Sequence, residues 1–388
     1  MTGQKGERVR VAIICPVVVR HDAISAAVYD TWRILARDGR FSVSVLTSRC
    51  DFPELAPRLV RRGVSDLLIA PEFLAADILI YHFGIYGQVF DALLIGNGHG
   101  RQVVFFHNVT PLEFASPANR DVIARSFRQL SNLRHADQIW PVSPVNADLL
   151  ADRGFGRERV HQIPLVVETP SLMPLEGKAP RPIDILFVGR FVPSKGVLDL
   201  IRALALMHRG CKVPMRLRLV GNESFSERDY LAAVRSEIAA AGFGFPVEML
   251  GTIDDDRLFD LYRSSHVFAI PSYHEGFCKT AVEALRAGAV PVGYAAHNLP
   301  NVVGGLGRLA PTGDVPALAA ALQAMVESIA AGLAKPDRAH LPLDRGAMSV
   351  RSFDQAAKRY VESFSFEHIS KLMLDRLSTV SVTAAPKA

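Results

Sequence analysis

Cysteine is scarce in this chain of 388 residues: Cys15, Cys50, Cys211 and Cys278 stand far apart, forming neither a disulfide ladder nor a close pair of metal ligands. A reduced, cytoplasmic setting follows as the expectation. Basic residues are also thinly spread. Arg61 and Arg62 make a short cluster, and with no long Arg/Lys run or zinc-finger spacing a nucleic-acid partner is not expected. The formal charge of +5 favours encounter with phosphate-rich ligands or an anionic membrane surface, without establishing either. Long hydrophobic runs are few. The apolar run at residues 9–18 is short and continues into Arg20-His21-Asp22 without a small-residue cleavage site, so it reads as a first buried strand. Residues 73–96 approach the length of a spanning helix, but Asp77, His82, Gln88 and Asp91 would need compensation in hydrocarbon, and Gly84 and Gly87 punctuate the segment. Strand, turn and buried helical segment fit it better.

What is present is an apolar fraction of 49%, enough for more than one compact core at this length. Predicted strands at 9–18, 41–46, 77–81, 102–106 and 138–142 alternate with predicted helices at 23–37, 53–63, 119–134 and 143–150. Four prolines and Gly177 between 169 and 182 mark the best linker. A second series follows, with strands at 183–188, 215–220, 247–250, 267–271 and 290–293. Helices are expected at 197–209, 227–240, 255–264, 280–287, 315–331, 352–361 and 366–377. The fold class is α/β, two Rossmann-like domains with mainly parallel sheets. The expected division is an amino-terminal domain at 1–170, a linker at 171–182, a second domain at 183–361, and a terminal helix with a tail at 362–388.

The strongest constellation is a pair of acids, Glu275 and Glu283, in Glu275-Gly276-Phe277-Cys278-Lys279-Thr280-Ala281-Val282-Glu283. The first follows a predicted strand and the second lies two turns into the next helix. Carboxylates accept hydrogen bonds from sugar hydroxyls, and free amides at a helix start contact phosphate. An acid at a helix start with a separate surface acid would show the same spacing. Gly276 permits close approach or makes a turn, and Cys278 reads as a small packed residue with no nucleophile relay. Gly189, Arg190 and Lys195 form a cationic turn suited to a diphosphate, or else a solvated basic loop. Asn222 ends a strand, where it points to a ligand or closes its own turn. His107 ends a buried strand, where a histidine satisfied by its surroundings is the plain alternative.

Pro271-Ser272-Tyr273-His274-Glu275-Gly276-Phe277 followed by Glu283, together with Val188-Gly189-Arg190 and Lys195-Gly196, resembles the donor-site motifs of a large family of retaining glycosyltransferases. This is glycosyltransferase family 4, of the GT-B fold, which includes phosphatidylinositol mannosyltransferases, sucrose synthases and lipopolysaccharide glucosyltransferases. The resemblance implies two domains facing a cleft and transfer of a hexose from a nucleotide-diphosphate sugar, with retention, to a glycan or lipid-linked acceptor. It implies that Glu275 approaches donor-sugar hydroxyls, Glu283 engages ribose, and Arg190 and Lys195 hold the diphosphate. His107 would stand near the sugar, Thr252 and Ile253 at the base edge, and the terminal helix would cross back to the first domain. The base, uridine or guanosine, stays open. No permanent cofactor and no strict metal requirement are implied.

Two stretches depart from the family pattern. The first loop, 18–23, lacks a Gly pair, so Arg20 and His21 read as an acceptor-phosphate contact or as a solvated turn. Ala295-Ala296-His297-Asn298-Leu299-Pro300 replaces a frequent Gly-rich turn, with Asn301 where an acid is common. The apolar residues from Phe73 to Phe90, with His82, read equally as core and as a wall for a lipid-linked acceptor, the latter bringing peripheral contact at the inner face of the cytoplasmic membrane. Oligomeric state has no signature. A sugar-nucleotide hydrolase or epimerase, or an inactive sugar-nucleotide sensor, are the competing readings.

Overall fold

The computed structural model describes residues 8–116, 119–168, 173–223, 226–335 and 339–380. The chain divides into two compact units, Met1–Val166 with Phe366–Ala388, and Val167–Ser365.

The first unit opens with β1 (Val9–Ile14), α1 (Ala23–Arg37), β2 (Phe41–Thr47), β3 (Arg58–Leu59), α2 (Val64–Leu68) and α3 (Pro71–Leu74). It continues through β4 (Ile78–Phe83), β5 (Arg101–Phe106), α4 (Arg120–Gln129), β6 (Gln138–Pro141) and α5 (Pro144–Asp152). Strand order is β3-β2-β1-β4-β5-β6, all parallel. Every residue of β4 is buried, as the apolar run requires of a central parallel strand covered on both faces. Leu79, Tyr81 and Phe83 pack with Phe90 and Phe106 in one core, each large side chain contributing about 1.5–3 kcal/mol. Helix α1 starts where it does because the Asp22 carboxylate accepts the Ser25 amide at 2.8 Å.

Residues 73–96 form no spanning helix; they give α3, β4 and a 3₁₀ turn at Gln88–Leu94 that buries Val89, Phe90, Ala92 and Leu93. Two expectations need correction. In place of a helix over 53–63 there is one 3₁₀ turn at Pro53–Leu55, followed by the short edge strand β3 paired with Leu46 and Thr47. Ala56 sits in the left-handed region at φ 41° and precedes Pro57, whose ring disfavours helical backbone before it. The helix over 119–134 is α-helical only to Gln129 and tightens to 3₁₀ at Leu130–His135, a frequent way for a helix to end.

The second unit comprises β7 (Ile183–Val188), α6 (Val197–His208), β8 (Met215–Val220), α7 (Arg228–Ala241), β9 (Val247–Gly251) and α8 (Asp255–Ser264). Then come β10 (Val267–Ile270), α9 (Lys279–Arg286), β11 (Val290–Tyr294), α10 (Leu299–Val303), β12 (Arg308–Ala310) and α11 (Val315–Ala334). A small antiparallel pair, β13 (His340–Leu341) and β14 (Met348–Ser349), leads to α12 (Val350–Val361). The main sheet runs β12-β11-β10-β7-β8-β9, again all parallel. Helix α11 is long and apolar enough to cross a membrane, yet Leu318, Leu322, Met325, Val326 and Ile329 are buried in the unit and the helix packs on α6, β11 and β12. The pair β13–β14 and helix α10 were not foreseen; both are too short to carry a periodic signal.

Of the segment 171–182, residues 171 and 172 lie outside the described residues. From Met173 onward it packs on the second unit: the Leu175 and Glu176 amides donate to the Asp354 carboxylate at 2.7 and 3.0 Å, and the buried Lys178 ammonium donates to the Ser265 carbonyl. Helix α13 (Phe366–Ser378) belongs to the first unit. The Arg33 and Arg37 guanidiniums lie 4.5 and 4.6 Å from the centre of the Phe366 ring, and Gln138 Nε2 donates to Thr379 Oγ1 at 3.1 Å.

In both sheets the chain builds to one side of its first strand and then returns to the other. The reversals fall between β1 and β4 and between β7 and β10, where the following loops leave in opposite directions and open a crevice at the carboxyl ends of the strands. Gly196, in the loop after β7, has φ 64°, and a β-carbon there would lie 1.9 Å from the Pro271 carbonyl oxygen in the loop after β10. Gly242 has φ 56° with nothing within 4 Å. Gly242→Ala should therefore cost only the left-handed penalty, about 1–2 kcal/mol. Gly196→Ala should cost clearly more, because backbone must also move. Denaturant midpoints of the two variants check this, and equal losses would mean the loops are not in the close contact described.

Candidate functional site

The reversal between β7 and β10 holds the residues that the motifs single out. After β7 the chain passes Gly189 and Arg190, makes a 3₁₀ turn at Pro193–Lys195, and enters α6 through left-handed Gly196. After β10 it runs through 271–278 into α9. The Tyr273 amide donates to the Ser194 carbonyl at 2.9 Å, joining the two loops. Tyr273 and Tyr294 both donate to Asp199 Oδ2, at 2.5 and 2.8 Å, which ties the second loop to the first turn of α6 and to the end of β11.

Between these loops Lys195 Nζ donates to Glu275 Oε1 at 2.6 Å, and Ser272 Oγ donates to the same oxygen at 2.8 Å. The side chains retain 22% and 12% of their exposure, so the pair is shielded but reachable. Two donors on Oε1 fix the carboxylate orientation, and among the described residues nothing bonds to Oε2. A part-buried cation beside a carboxylate with one open oxygen suits a ligand carrying both an anionic group and hydroxyls.

A second clamp acts on the backbone. His297 Nδ1 donates to the Glu275 carbonyl at 2.7 Å, and Asn298 Nδ2 donates to the Phe277 carbonyl at 3.1 Å. The turn that departs from the family's Gly-rich pattern thus grips the loop carrying the acid. The His274 and His297 rings lie 4.0 Å apart, and burial, then His297, then Lys195, bring the His274 imidazole down to about 3. His297 at φ 48° and Cys278 at φ 76° are both left-handed without being glycine. Cys278 opens α9, and burial pushes its thiol up to about 12, away from the thiolate form that a nucleophile needs.

Gly276 and Phe277 lead into this opening, and Lys279 is the first residue of α9. Glu283 is half-buried, and its Oε2 accepts the Tyr262 hydroxyl of α8 at 2.9 Å. Burial raises the Glu283 carboxyl above its ordinary value, and burial with the adjacent carboxylate raises Tyr262 well above its own.

At the ends of β8 and β9 the Gly221 amide donates to the Gly251 carbonyl at 3.1 Å, next to Asn222, exposed Thr252 and half-buried Ile253. A β-carbon on Gly221 would lie 2.1 Å from the Gly189 carbonyl oxygen, so the loops after β7 and β8 touch through backbone. Ser226 Oγ completes the join, accepting the Phe191 amide at 2.8 Å and donating to the Asn222 carbonyl at 2.8 Å. Arg190 is exposed on this loop, and no ion pair to it occurs among the described residues.

The second unit therefore brings Lys195 and Glu275 into contact, holds Glu283 of α9 against Tyr262, and sets Gly189, Arg190, Asn222, Thr252 and Ile253 at the carboxyl ends of strands of the same sheet. His107 belongs to the first unit, at the end of β5, where its amide donates to the Phe83 carbonyl at 2.8 Å. Burial brings its imidazole down to about 3. Ser272, His297, Asn298, Tyr262 and Asp199 were not anticipated as supports. Only Ser272, three residues before Glu275, had a local cue. Among the described residues no group of three or more His, Cys, Asp or Glu side chains is placed to hold a metal ion.

Residues 182–328 match the profile of a family described as Glycosyl transferases group 1. An MMP alpha-(1->4)-mannosyltransferase of Mycolicibacterium hassiacum is 32% identical over 199 residues, 50% of this chain and 46% of that one. The chain spans about half the length of the curated relatives it matches. Sucrose-phosphate synthase from Thermosynechococcus elongatus superposes with a TM-score of 0.68 at 18% identity, covering 96% of this chain and 99% of that one. Anabaena HepE, solved with UDP and glucose, gives a TM-score of 0.65 at 17% identity, covering 96% and 100%. The matched profile lies on the second unit, around Lys195, Glu275 and Glu283, while the structural likeness spans both units. The chain accordingly has the GT-B fold, and its second unit is related in sequence to the group 1 glycosyl transferases.

Proposed function

We propose that the protein transfers a hexose from a nucleotide-diphosphate sugar to a glycan or lipid-linked acceptor with retention of anomeric configuration. The observation that carries this reading is the Lys195–Glu275 pair at the reversal of the second sheet, with Ser272 on one carboxylate oxygen and the other open. The mannosyltransferase relative and the UDP complex of HepE support the donor class. The four cysteines are unpaired thiols, in keeping with a cytoplasmic setting. A lipid-linked acceptor would add peripheral contact with the inner face of the membrane.

In this mechanism Arg190 and Lys195 stabilise the departing diphosphate and the amides at the start of α9 face it. The open oxygen of Glu275 orients donor-sugar hydroxyls and Glu283 holds the ribose. Asn222, Thr252 and Ile253 line the nucleotide side, the base being uridine or guanosine. The acceptor hydroxyl oxygen bonds to the anomeric carbon as the bond to the diphosphate oxygen breaks. Its electron pair leaves with the nucleotide diphosphate, and the hydroxyl proton passes to a diphosphate oxygen on the same face. Positioning and charge stabilisation supply the acceleration, with no side chain acting as a strong base. None of these steps calls on a permanent cofactor or a protein-bound metal.

Glu275→Gln and Lys195→Ala should each lower kcat by about 10²–10³, the usual loss when one preorganised electrostatic contact is removed, while leaving the folded state intact. Release of nucleotide diphosphate from a panel of nucleotide sugars, in the presence of a cell extract, measures it. Wild-type turnover in either variant would remove the site; donor consumption that is equally fast without acceptor, with free sugar released, would make the protein a hydrolase.

Glu283→Gln should mainly raise the donor KM, by about tenfold, for the loss of one charge-assisted hydrogen bond of ~1.5 kcal/mol. Steady-state kinetics with donor varied separates this from an effect on kcat. A fall in kcat with KM unchanged would take Glu283 off the ribose.

A further inference from the structure

His82 and His107 form a buried pair in the first unit whose arrangement decides what His107 offers to a ligand. Parallel register sets His82 opposite Phe105, and Phe105 and His107, two residues apart on β5 and its continuation, face the same way. The three rings stack: His82 and Phe105 at 5.1 Å, Phe105 and His107 at 5.1 Å, His82 and His107 at 5.2 Å between centres. His82 Nδ1 and His107 Nε2 are 3.0 Å apart.

At that distance a single proton lies between the two nitrogens, on one ring or the other. His82 is 1% exposed, and its Nε2 is buried with no polar partner among the described residues. If His107 Nε2 held the shared proton, neutral His82 would carry its own on Nε2, a buried N–H with no acceptor. An orphaned buried N–H donor is rare in folded proteins and forfeits its full hydration, so this arrangement is disfavoured. With the proton on His82 Nδ1, only a lone pair is left without a partner. Both rings are held neutral by burial, and in His82 the neighbouring imidazole adds to the effect. A neutral His107 that accepts at Nε2 must carry its own proton on Nδ1. Among the described residues nothing bonds to that Nδ1, and His107 keeps 9% of its surface open.

We infer that His82 is a positioning residue that locks His107 in the Nδ1–H tautomer, so that His107 presents a hydrogen-bond donor, and not a base, to the oxygen of a bound ligand. That this ligand is a substrate of the transfer rests on the transfer reading above; the tautomer itself does not. The ligand group facing His107 is then a hydroxyl or phosphate oxygen acting as acceptor. No proton is removed from the acceptor substrate by this ring, which agrees with a departing diphosphate that takes that proton.

The test uses the full chain labelled with ¹⁵N-histidine and imidazole ¹⁵N–¹H correlation spectra near pH 7.5, with His107→Asn supplying the assignment. Wild type should show His107 with a protonated Nδ1 and a pyridine-like Nε2. His82→Phe, which cannot donate, should shift His107 toward the Nε2–H form and slow transfer about tenfold. His82→Asn, whose amide nitrogen stands near the place of Nδ1, should restore both the wild-type spectrum and most of the turnover. A protonated Nε2 on His107 in wild type would overturn the lock without any variant being needed, and so would an unmoved tautomer in folded His82→Phe. If the tautomer is as inferred but His107→Ala transfers sugar at the wild-type rate, the lock stands and the part of His107 in transfer falls.

Discussion

The contact on which the second unit's site depends is the ion pair between Lys195 and Glu275, held across the point where the sheet reverses direction. The pair is part-buried, so each charge loses some hydration and depends on its partner and on Ser272 for compensation. Its partners sit in separate loops 80 residues apart, each fixed by contacts that do not involve the charges. Gly196 packs against the Pro271 carbonyl, Tyr273 bonds to Ser194, and Asp199 gathers two tyrosine hydroxyls from the far side. The charges meet because the backbone has already been brought together, the condition under which an electrostatic contact needs no reorganisation when a ligand arrives.

The local cost of this arrangement is visible in the backbone. Cys278 and His297 both occupy left-handed conformations that a side chain resists, at about 1–2 kcal/mol each. Both flank the acid: Cys278 opens the helix that carries Glu283, and His297 holds the Glu275 carbonyl. Strain concentrated at two residues of one loop pair, and balanced by hydrogen bonds from His297 and Asn298, is what a preorganised binding loop requires. The turn at 295–298 thus grips the neighbouring loop through its side chains.

Much of this could be read from the sequence, for identifiable reasons. The central strands β4, β5, β7, β10 and β11 are largely buried and appear as apolar runs, so they and the α/β class were plain, whereas the short edge strands β3 and β12 were not. The acid-bearing segment was legible because strand, loop and helix follow one another within 17 residues, from Val267 to Glu283. Residues 53–63 were misread because helical composition outweighed the Ala56-Pro57 step that breaks it. The supports of the site were not legible. Tyr262 reaches Glu283 over 21 residues and His297 reaches a carbonyl over 22, with no spacing rule to announce either. His82 and His107 were each noticed singly, but only the parallel register of β4 and β5 makes them a pair.

The central claim is that the Lys195–Glu275 pair and the opening of α9 receive one activated sugar. A crystal structure of the chain with a nucleotide-diphosphate sugar tests it most directly. The account predicts diphosphate oxygens within hydrogen-bond distance of Lys195 Nζ and of the first amides of α9, sugar hydroxyls on the open oxygen of Glu275, and ribose on Glu283. A nucleotide bound elsewhere, with the Lys195–Glu275 pair untouched, would contradict it.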